Sequence, residues 1–520
     1  MGLIGLIPVA LAASGSGKPS RDSSIDWRGE LLFDGRPIPG TILYGRMYVI
    51  PGNTAVNISP GTKLLFEEGY GLAVLGDFQA RGSAEEPIVA SSIEKNTQWV
   101  GLLLLGGRNY TLRYMVIEAF QEVGLLVYWS YATLEHIRLR SASAPIGLWF
   151  RWSSGSLTDI VADLRMNGAL RLYMSPKVEL LAAGIGIYAE ECSNLFVSNS
   201  RLLCRGLPGS SVIGVYSANS TDIQLSRCSI QVSGRARNYR ILPESPSLKQ
   251  FPQSIPDVKL RELTVPCGGE AIALAFCHLS SEIRIDSCSL IAESVGTSDL
   301  GIGGLACATF LAGGCQNISI TNTSCVARGM QGASAYGMWL SANISEIGSE
   351  HVEILSSTGC RGVCAGLWIS DGVERTRFIN AVIRSEAGSG SIDHPDGGSA
   401  VGAVLQHATD IVFQNTVISA YGGQGLEASQ QRPRAGSGGN AIAAALEDSS
   451  ISTTNVTFAA YGGDGGDATA PDTVPGLGGK AHVFLLVNSR ISGQYALIEQ
   501  DGNPGNPPPQ QSKQKQSSPL

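Results

Sequence analysis

Five segments decide the fold when they are laid one above another: CSNLFVSNSRL (192–202), STDIQLSRCSI (220–230), SSEIRIDSCSL (280–290), CQNISITNTSC (315–325) and ATDIVFQNTVI (408–418). All share one register. Apolar residues stand two apart in each, as Leu195 and Val197, Ile223 and Leu225, Ile283 and Ile285, Ile318 and Ile320, Ile411 and Phe413. That is the period of a strand with one face turned inward. Two residues on comes a polar turn position, held by Asn199, Asn322, Asn380, Asn415 and Asn455, and in other repeats by Arg227, Ser287 and Ser356. Asparagine tolerates the left-handed backbone of a tight turn, and stacked amides can hydrogen-bond along a column. This predicts an asparagine ladder at one bend, with its amides buried.

A second kind of strand precedes each segment and opens on glycine: GLLLL (101–105), GLLVYW (124–129), GLWFRW (147–152), GIGIYA (184–189), GVYSA (214–218), GMWLS (337–341) and GLWIS (366–370). The glycines at 101, 124 and 147 are 23 residues apart; later spacings lengthen to 28, 29 and 36. Growth falls at one place in the repeat, as Gly-, Pro- and Asp-rich inserts near 234–268, 386–400, 421–440 and 461–480. Inserts confined to one place lie on one face of a solenoid, often the binding face. Propeller blades need about 40 residues and four strands, more than a 23-residue coil supplies. The fold class is therefore all-β, a right-handed parallel β-helix with loop insertions on one face.

Composition fits. The 520 residues include 64 glycines without a Gly-X-Y period, which favours turn-rich β structure over collagen. A net charge of -7 leaves no basic footprint for nucleic acid. Residues 1–13 form an apolar run ending in small residues, like a secretory signal without a basic n-region, and no later run reaches the roughly 18 residues of a membrane span. The expected layout is 1–13 signal or hydrophobic segment, 14–45 linker or cap, 46–500 β-helix, and 501–520 a disordered Pro/Gln/Ser-rich tail. N-glycosylation sequons at Asn57, Asn109, Asn219, Asn317, Asn322, Asn343 and Asn455 favour an extracellular or cell-surface setting.

The stretch 57–92, NISPGTKLLFEEGYGLAVLGDFQARGSAEEPIVASS, followed by WVGLLLLG (99–106), resembles the first coils of secreted right-handed parallel β-helix proteins of bacteria and archaea, within the pectate-lyase-like β-helix superfamily. Pro60-Gly61-Thr62, Gly76, Gly82, Pro87-Ile88 and Trp99 carry the likeness over about 50 residues. The resemblance implies the fold and an exported setting, and little chemistry. Pectate lyases and polygalacturonases of that wider fold act on acidic polysaccharide, but no Asp-Asp pair, Gly-His-Gly or Arg-x-Lys of the hydrolase pattern occurs here.

Chemistry-bearing residues are sparse. SIDHPDGG (391–398) puts Asp393, His394 and Asp396 in one insert, near loops bearing Glu427, Asp464, Asp467 and Asp472; such carboxylates either ligate Ca²⁺, act as acid and base on a sugar with His394 as the one histidine beside them, or are simply solvated. GGDGGDA (462–468) fits the opening of a calcium-binding nonapeptide repeat through Asp464 and Asp467, although nothing tandem follows. No other cofactor is indicated. The six histidines, His136, His278, His351, His394, His407 and His482, show no metal-ligand spacing. Trp129, Trp149, Trp152, Trp339 and Trp368 form either a sugar-stacking strip or core. Cys228 and Cys288 share a column 60 residues apart, so adjacent coils would make them either a disulfide or a reduced pair. The reading is a secreted or surface β-helix, a non-enzymatic binding or structural module for a polysaccharide or envelope component; the alternatives are a polysaccharide lyase or glycoside hydrolase acting on an acidic polysaccharide through loop carboxylates, and a purely structural surface-layer or adhesin stalk.

Overall fold

The computed structural model describes residues 23–508 except 108, 168–169, 176–177, 236–268, 297–303, 331, 360–362, 393, 430 and 471. Among the described residues there are strands and no helix, and none is long and apolar enough to cross a membrane as a helix. The chain is a parallel β-helix. Its strand pairings are parallel throughout, apart from two antiparallel hairpins, Ile42–Tyr44 with Met47–Ile50 and Leu170–Ser175 with Val178–Glu190.

Each coil contributes to three ladders. The first holds Ser193–Ser198, Thr221–Ser226 and Ser281–Asp286; the second holds Arg201–Gly206, Ser229–Arg235 and Ser289–Val295; the third holds Ser211–Ala218, Ala271–Cys277 and Leu305–Ala312. The first two form one sheet because Asn109–Glu118 and Tyr131–Ala144 run through the corner between them. Leu195, Ile223, Ile283, Ile318, Ile347, Thr376 and Ile411 stand in one column, all buried. The helix begins earlier than residue 46: Ser23–Trp27 and Glu30–Phe33 pair with Thr54–Ile58 and Lys63–Phe66 as part of the first coil.

The third ladder explains why its strands read as continuous apolar runs. Its outward column, Leu103, Leu126, Trp149, Tyr188, Tyr216, Ala275, Phe310 and Trp339, belongs to a second apolar layer outside the main core. Leu172, Met174 and Leu180 of the antiparallel hairpin join that layer. A strand buried on both faces loses the polar alternation.

The corner between the first two ladders is one column of left-handed residues: Tyr114, His136, Asp159, Asn199, Arg227, Ser287, Asn322, His351, Asn380, Asn415 and Asn455, with φ between 49 and 55°. His351, not Ser356, occupies this column, and Ser356 is buried within the strand Glu353–Thr358. Asn455 Nδ2 donates to Asn415 Oδ1 (3.0 Å), and Asn415 Nδ2 to Asn380 Oδ1 (3.1 Å). Asn199, Asn322, Asn415 and Asn455 are exposed and Asn380 is half-buried, so burial of the amides is not found. A left-handed corner residue ends one strand and begins the next with its side chain pointing away from the core.

At the corner between third and first ladders, the inward hydroxyls do the polar work. Ser153 Oγ accepts from Ser130 N–H, Ser220 Oγ from Cys192 N–H, Ser280 Oγ from Ser220 N–H, Ser449 Oγ from Ala408 N–H and Ser489 Oγ from Ser449 N–H, at 3.0 to 3.3 Å. Buried amides at the bend thereby gain partners that the strands cannot supply.

The glycine-rich inserts 387–399, 422–440 and 462–480 are not independent loops. Their described residues run out and back as two layers of extended chain, with hydrogen bonds recurring at every third residue, the period of a polyproline-II helix. Gly422, Gly425 and Ala428 donate to Tyr461, Asp464 and Asp467 carbonyls of the next coil. Between layers, a zigzag runs from Gly502 to Gly479, Gly463, Gly439, Gly423 and Gly398, each N–H reaching the next carbonyl at 2.7 to 2.9 Å. Residues 501–508 complete this stack through Gly502 and Gly505, so the polar tail expected from 501 does not begin before 509.

The nine cysteines among the described residues are free and buried; Cys267 and Cys360 lie outside them. Ser226 pairs with Asp286 and Ser229 with Ser289, which puts the intervening Cys228 and Cys288 side by side on adjacent coils despite the long insert. Burial pushes the Cys204 thiol up to about 12 and that of Cys192 to about 11, which suppresses thiolate reactivity.

Two outcomes follow from these packings. A Cβ on Gly463 would overlap the carbonyl oxygen of Gly423, so Gly463→Ala should cost about 1–3 kcal/mol by overpacking and lower the denaturant midpoint; an unchanged midpoint would refute the close-packed stack. Parallel rungs at about 4.8 Å fall within disulfide range. A small diffusible oxidant should therefore link Cys228 to Cys288, detected by non-reducing peptide mapping, and linkage to a different cysteine would show the register to be wrong.

Candidate functional site

The carboxylates in the inserts hold the stack together. Asp396 Oδ1 accepts from Ser437 N–H at 2.8 Å. Asp464 Oδ1 accepts from both the backbone N–H and the amide of Asn503, and Asp467 accepts the same pair from Asn506. The Asn506 backbone and amide hold the Asp467 carboxyl below its ordinary range. His394 exchanges backbone hydrogen bonds with Ser391, and Asp393 lies outside the described residues. Among the described residues no three His, Cys, Asp or Glu side chains are grouped to hold a metal ion. Asp396, Asp464 and Asp467 thus satisfy amides of the following coil, a role that spacing alone did not reveal.

The tryptophans divide. Trp149 and Trp339 are buried and Trp368 is half-buried in the outer apolar layer, whereas Trp129 is 64% exposed. Trp129, Trp152 and Glu191 occupy the left-handed corner between third and first ladders on three successive coils, with φ of 51, 49 and 52°. Trp129 N–H donates to Arg151 O and Trp152 N–H to Glu190 O, which locks the corners one above another. The indoles of Trp129 and Trp152 are 5.9 Å apart, and Tyr128 meets Trp152 edge-on at 5.2 Å. Arg151 lies 4.4 Å over the Trp152 ring and pairs with Glu190 at 3.1 Å, while Trp152 Nε1 donates to Glu191. Burial raises the Glu190 carboxyl above its usual range, partly offset by Arg151. The result is an aromatic corner in which Trp129 is exposed and Tyr128 and Trp152 are half-buried, flanked by a guanidinium and two carboxylates.

A second site lies at the other corner of the same coils and was not evident from histidine spacing. His136 Nδ1 and Asp159 Oδ2 are 2.6 Å apart, and the Tyr114 ring stacks on the imidazole at 4.3 Å and 17°. These three precede Asn199 in the left-handed column, so alignment of EHIRL (135–139) with SNSRL (198–202) would have located them. They line a cleft of about 230 Å³ together with Ser83, Arg138 and Val161.

The sequons are also placed. Asn109, Asn219, Asn317, Asn322, Asn343 and Asn455 are exposed, and Asn57 is half-buried with its amide against Asp26 and Ser24.

No family model and no curated protein matches the chain. Among solved structures it is similar to the tailspike protein of E. coli bacteriophage HK620, in complex with a pentasaccharide, at 9% identity over 86% of this chain and 71% of that one, with a TM-score of 0.38. It is similar to the mannuronan C-5 epimerase AlgE4 A-module of Azotobacter vinelandii at 9% identity, over 88% and 89% of the two chains, with a TM-score of 0.24. The catalytic domain of a GH87 alpha-1,3-glucanase, in complex with nigerose, is similar at 10% identity over 77% and 60%, with a TM-score of 0.22. At such scores the likeness carries no argument about sites, and the β-helix stands on its own strand pairings.

Proposed function

We propose that this chain is an exported, non-enzymatic β-helix that binds carbohydrate through the aromatic corner at Trp129 and Trp152. The observation that carries the reading is an indole 64% exposed beside a second indole on the next coil. Exposing a large apolar ring is unfavourable in water, and sugar rings present apolar C–H faces that cover such platforms. Arg151, Glu190 and Glu191 stand at the rim, where hydroxyl groups of a stacked sugar would find donors and acceptors. The ligand is a polysaccharide or envelope glycan. Six exposed sequons support the exported setting.

The lyase or hydrolase reading rested on loop carboxylates. Asp396, Asp464 and Asp467 each accept hydrogen bonds from the next coil, which favours binding over acid–base chemistry there.

The test is a glycan array followed by titration of the best ligand, monitored by tryptophan fluorescence. Trp129→Ala should weaken binding about tenfold, the loss of an exposed ring's stacking worth about 1–1.5 kcal/mol, without changing the melting temperature. Equal binding by wild type and Trp129→Ala, or shortening of the glycan by the wild-type protein, would overturn the reading.

A further inference from the structure

The geometry points to a second binding site, independent of the aromatic corner: we propose that the cleft formed by Tyr114, His136, Arg138 and Asp159 binds an oxyanion and does so more tightly as pH falls. The cleft holds about 230 Å³, enough for a carboxylate, sulfate or phosphate group with part of its carrier. Its charged lining is short: Arg138, His136 and Asp159. Arg138 is exposed and forms no ion pair among the described residues, so its guanidinium is available to a ligand. Arginine's planar donor fork suits a two-oxygen acceptor.

His136 supplies the switch. Its Nδ1 is tied to Asp159 at 2.6 Å and one face of its ring is stacked on Tyr114, which fixes the imidazole plane and leaves Nε2 as the nitrogen open to a ligand. With neutral imidazole the lining sums to zero, Arg138 against Asp159; with imidazolium it sums to one positive charge. Surrounding elements largely compensate one another. Arg113 pairs with Glu135 at 2.6 Å and Arg205 with Asp163 at 2.9 Å, and Glu118 stands beside Arg140 in register. Arg81 faces Arg113 from the preceding rung, Glu85 and Glu86 lie in the 82–87 connection, and Arg201 stands two rungs from Arg138. A proton on the imidazole therefore sets the sign of the site. Asp159 offsets the charge of Arg138 and so makes the affinity of the site depend on the proton of the imidazole.

Sulfate is the appropriate probe because its charge is constant over the range in which histidine titrates. Calorimetric titration of the full chain should show sulfate binding about tenfold tighter near pH 5.5 than near pH 8, the interval in which a histidine changes charge. His136→Gln should bind equally at both values, and Arg138→Gln should bind about tenfold more weakly at each for loss of a charge-assisted contact. Glucuronate and glucose titrated into Trp129→Ala, which removes the aromatic corner's contribution, distinguish the source of the group: glucuronate tighter than sulfate with glucose silent supports a sugar-borne carboxylate, and sulfate tighter than glucuronate supports a free oxyanion. Trp129→Ala should leave the sulfate values unchanged, because sulfate has no apolar face to stack on the aromatic corner. Sulfate affinity that ignores pH in the wild type, or that survives both Arg138→Gln and His136→Gln, would overturn the proposal and leave the aromatic corner unaffected.

Discussion

Everything in this structure depends on the backbone hydrogen bonds that join each coil to the next. A residue in a parallel coil has fixed neighbours one rung before and one rung after, so a conformation adopted at one place must be adopted at the same place in every coil. The left-handed corner shows this most plainly. Eleven successive residues from Tyr114 to Asn455 hold φ near +50°, although only five of them are asparagine. The rest accept a backbone that costs an ordinary side chain about 1–2 kcal/mol, because leaving the column would strand amides such as Arg227 N–H and His351 N–H, which bond to carbonyls of the next coil.

The same constraint accounts for what could be read in the sequence and what could not. Period-two apolar pairs such as Ile283 and Ile285 were legible because the register forces them into columns facing one core. Cys228 and Cys288 were legible as neighbours because the column persists across an insert of any length. The Ser356 assignment slipped because the Glu353–Thr358 strand also alternates, so its inward serine mimics a turn position; the true corner residue, His351, is of a type that turns seldom favour. Buried serines such as Ser220 and Ser449 gave no signal, since an inward hydroxyl bonded to a bend amide looks in sequence like any loop serine. The glycine inserts were seen but read as loops. Their period of three is carried by backbone contacts, and Leu426 and Ala428 interrupt the glycine spacing while keeping the bonds.

Corners also explain where chemistry can reside. Side chains along a ladder alternate between core and surface, but a left-handed corner residue projects from an edge of the prism, and its counterparts on adjacent coils lie one rung away. Stacked groups follow directly: Trp129 with Trp152 at one edge, Tyr114 with His136 and Asp159 at the other. The strand Tyr131–Ala144 begins beside the first edge and turns through the second at His136, which fixes the two sites on the same coils. Both sites are held by the strands that build the core, and the cleft is closed on one side by the 82–87 connection.

The coils that carry these sites differ from those that carry the glycine stack. Between Gly101 and Gly147 the coil is 23 residues long, too short for an insert, so the corners there stand clear. From Gly366 onward the coils carry the glycine-rich inserts, and the added chain consumes its own polar groups: Asp396, Asp464 and Asp467 each bond an amide one coil away. A carboxylate engaged in that way is poorly placed to serve a ligand, because releasing it would expose an unpaired amide within the stack. Insert-rich coils are therefore the structurally saturated part of this solenoid. The surface with chemistry to spare lies on the short coils, where the left-handed corner leaves Trp129 uncovered and Arg138 is without an ionic partner among the described residues.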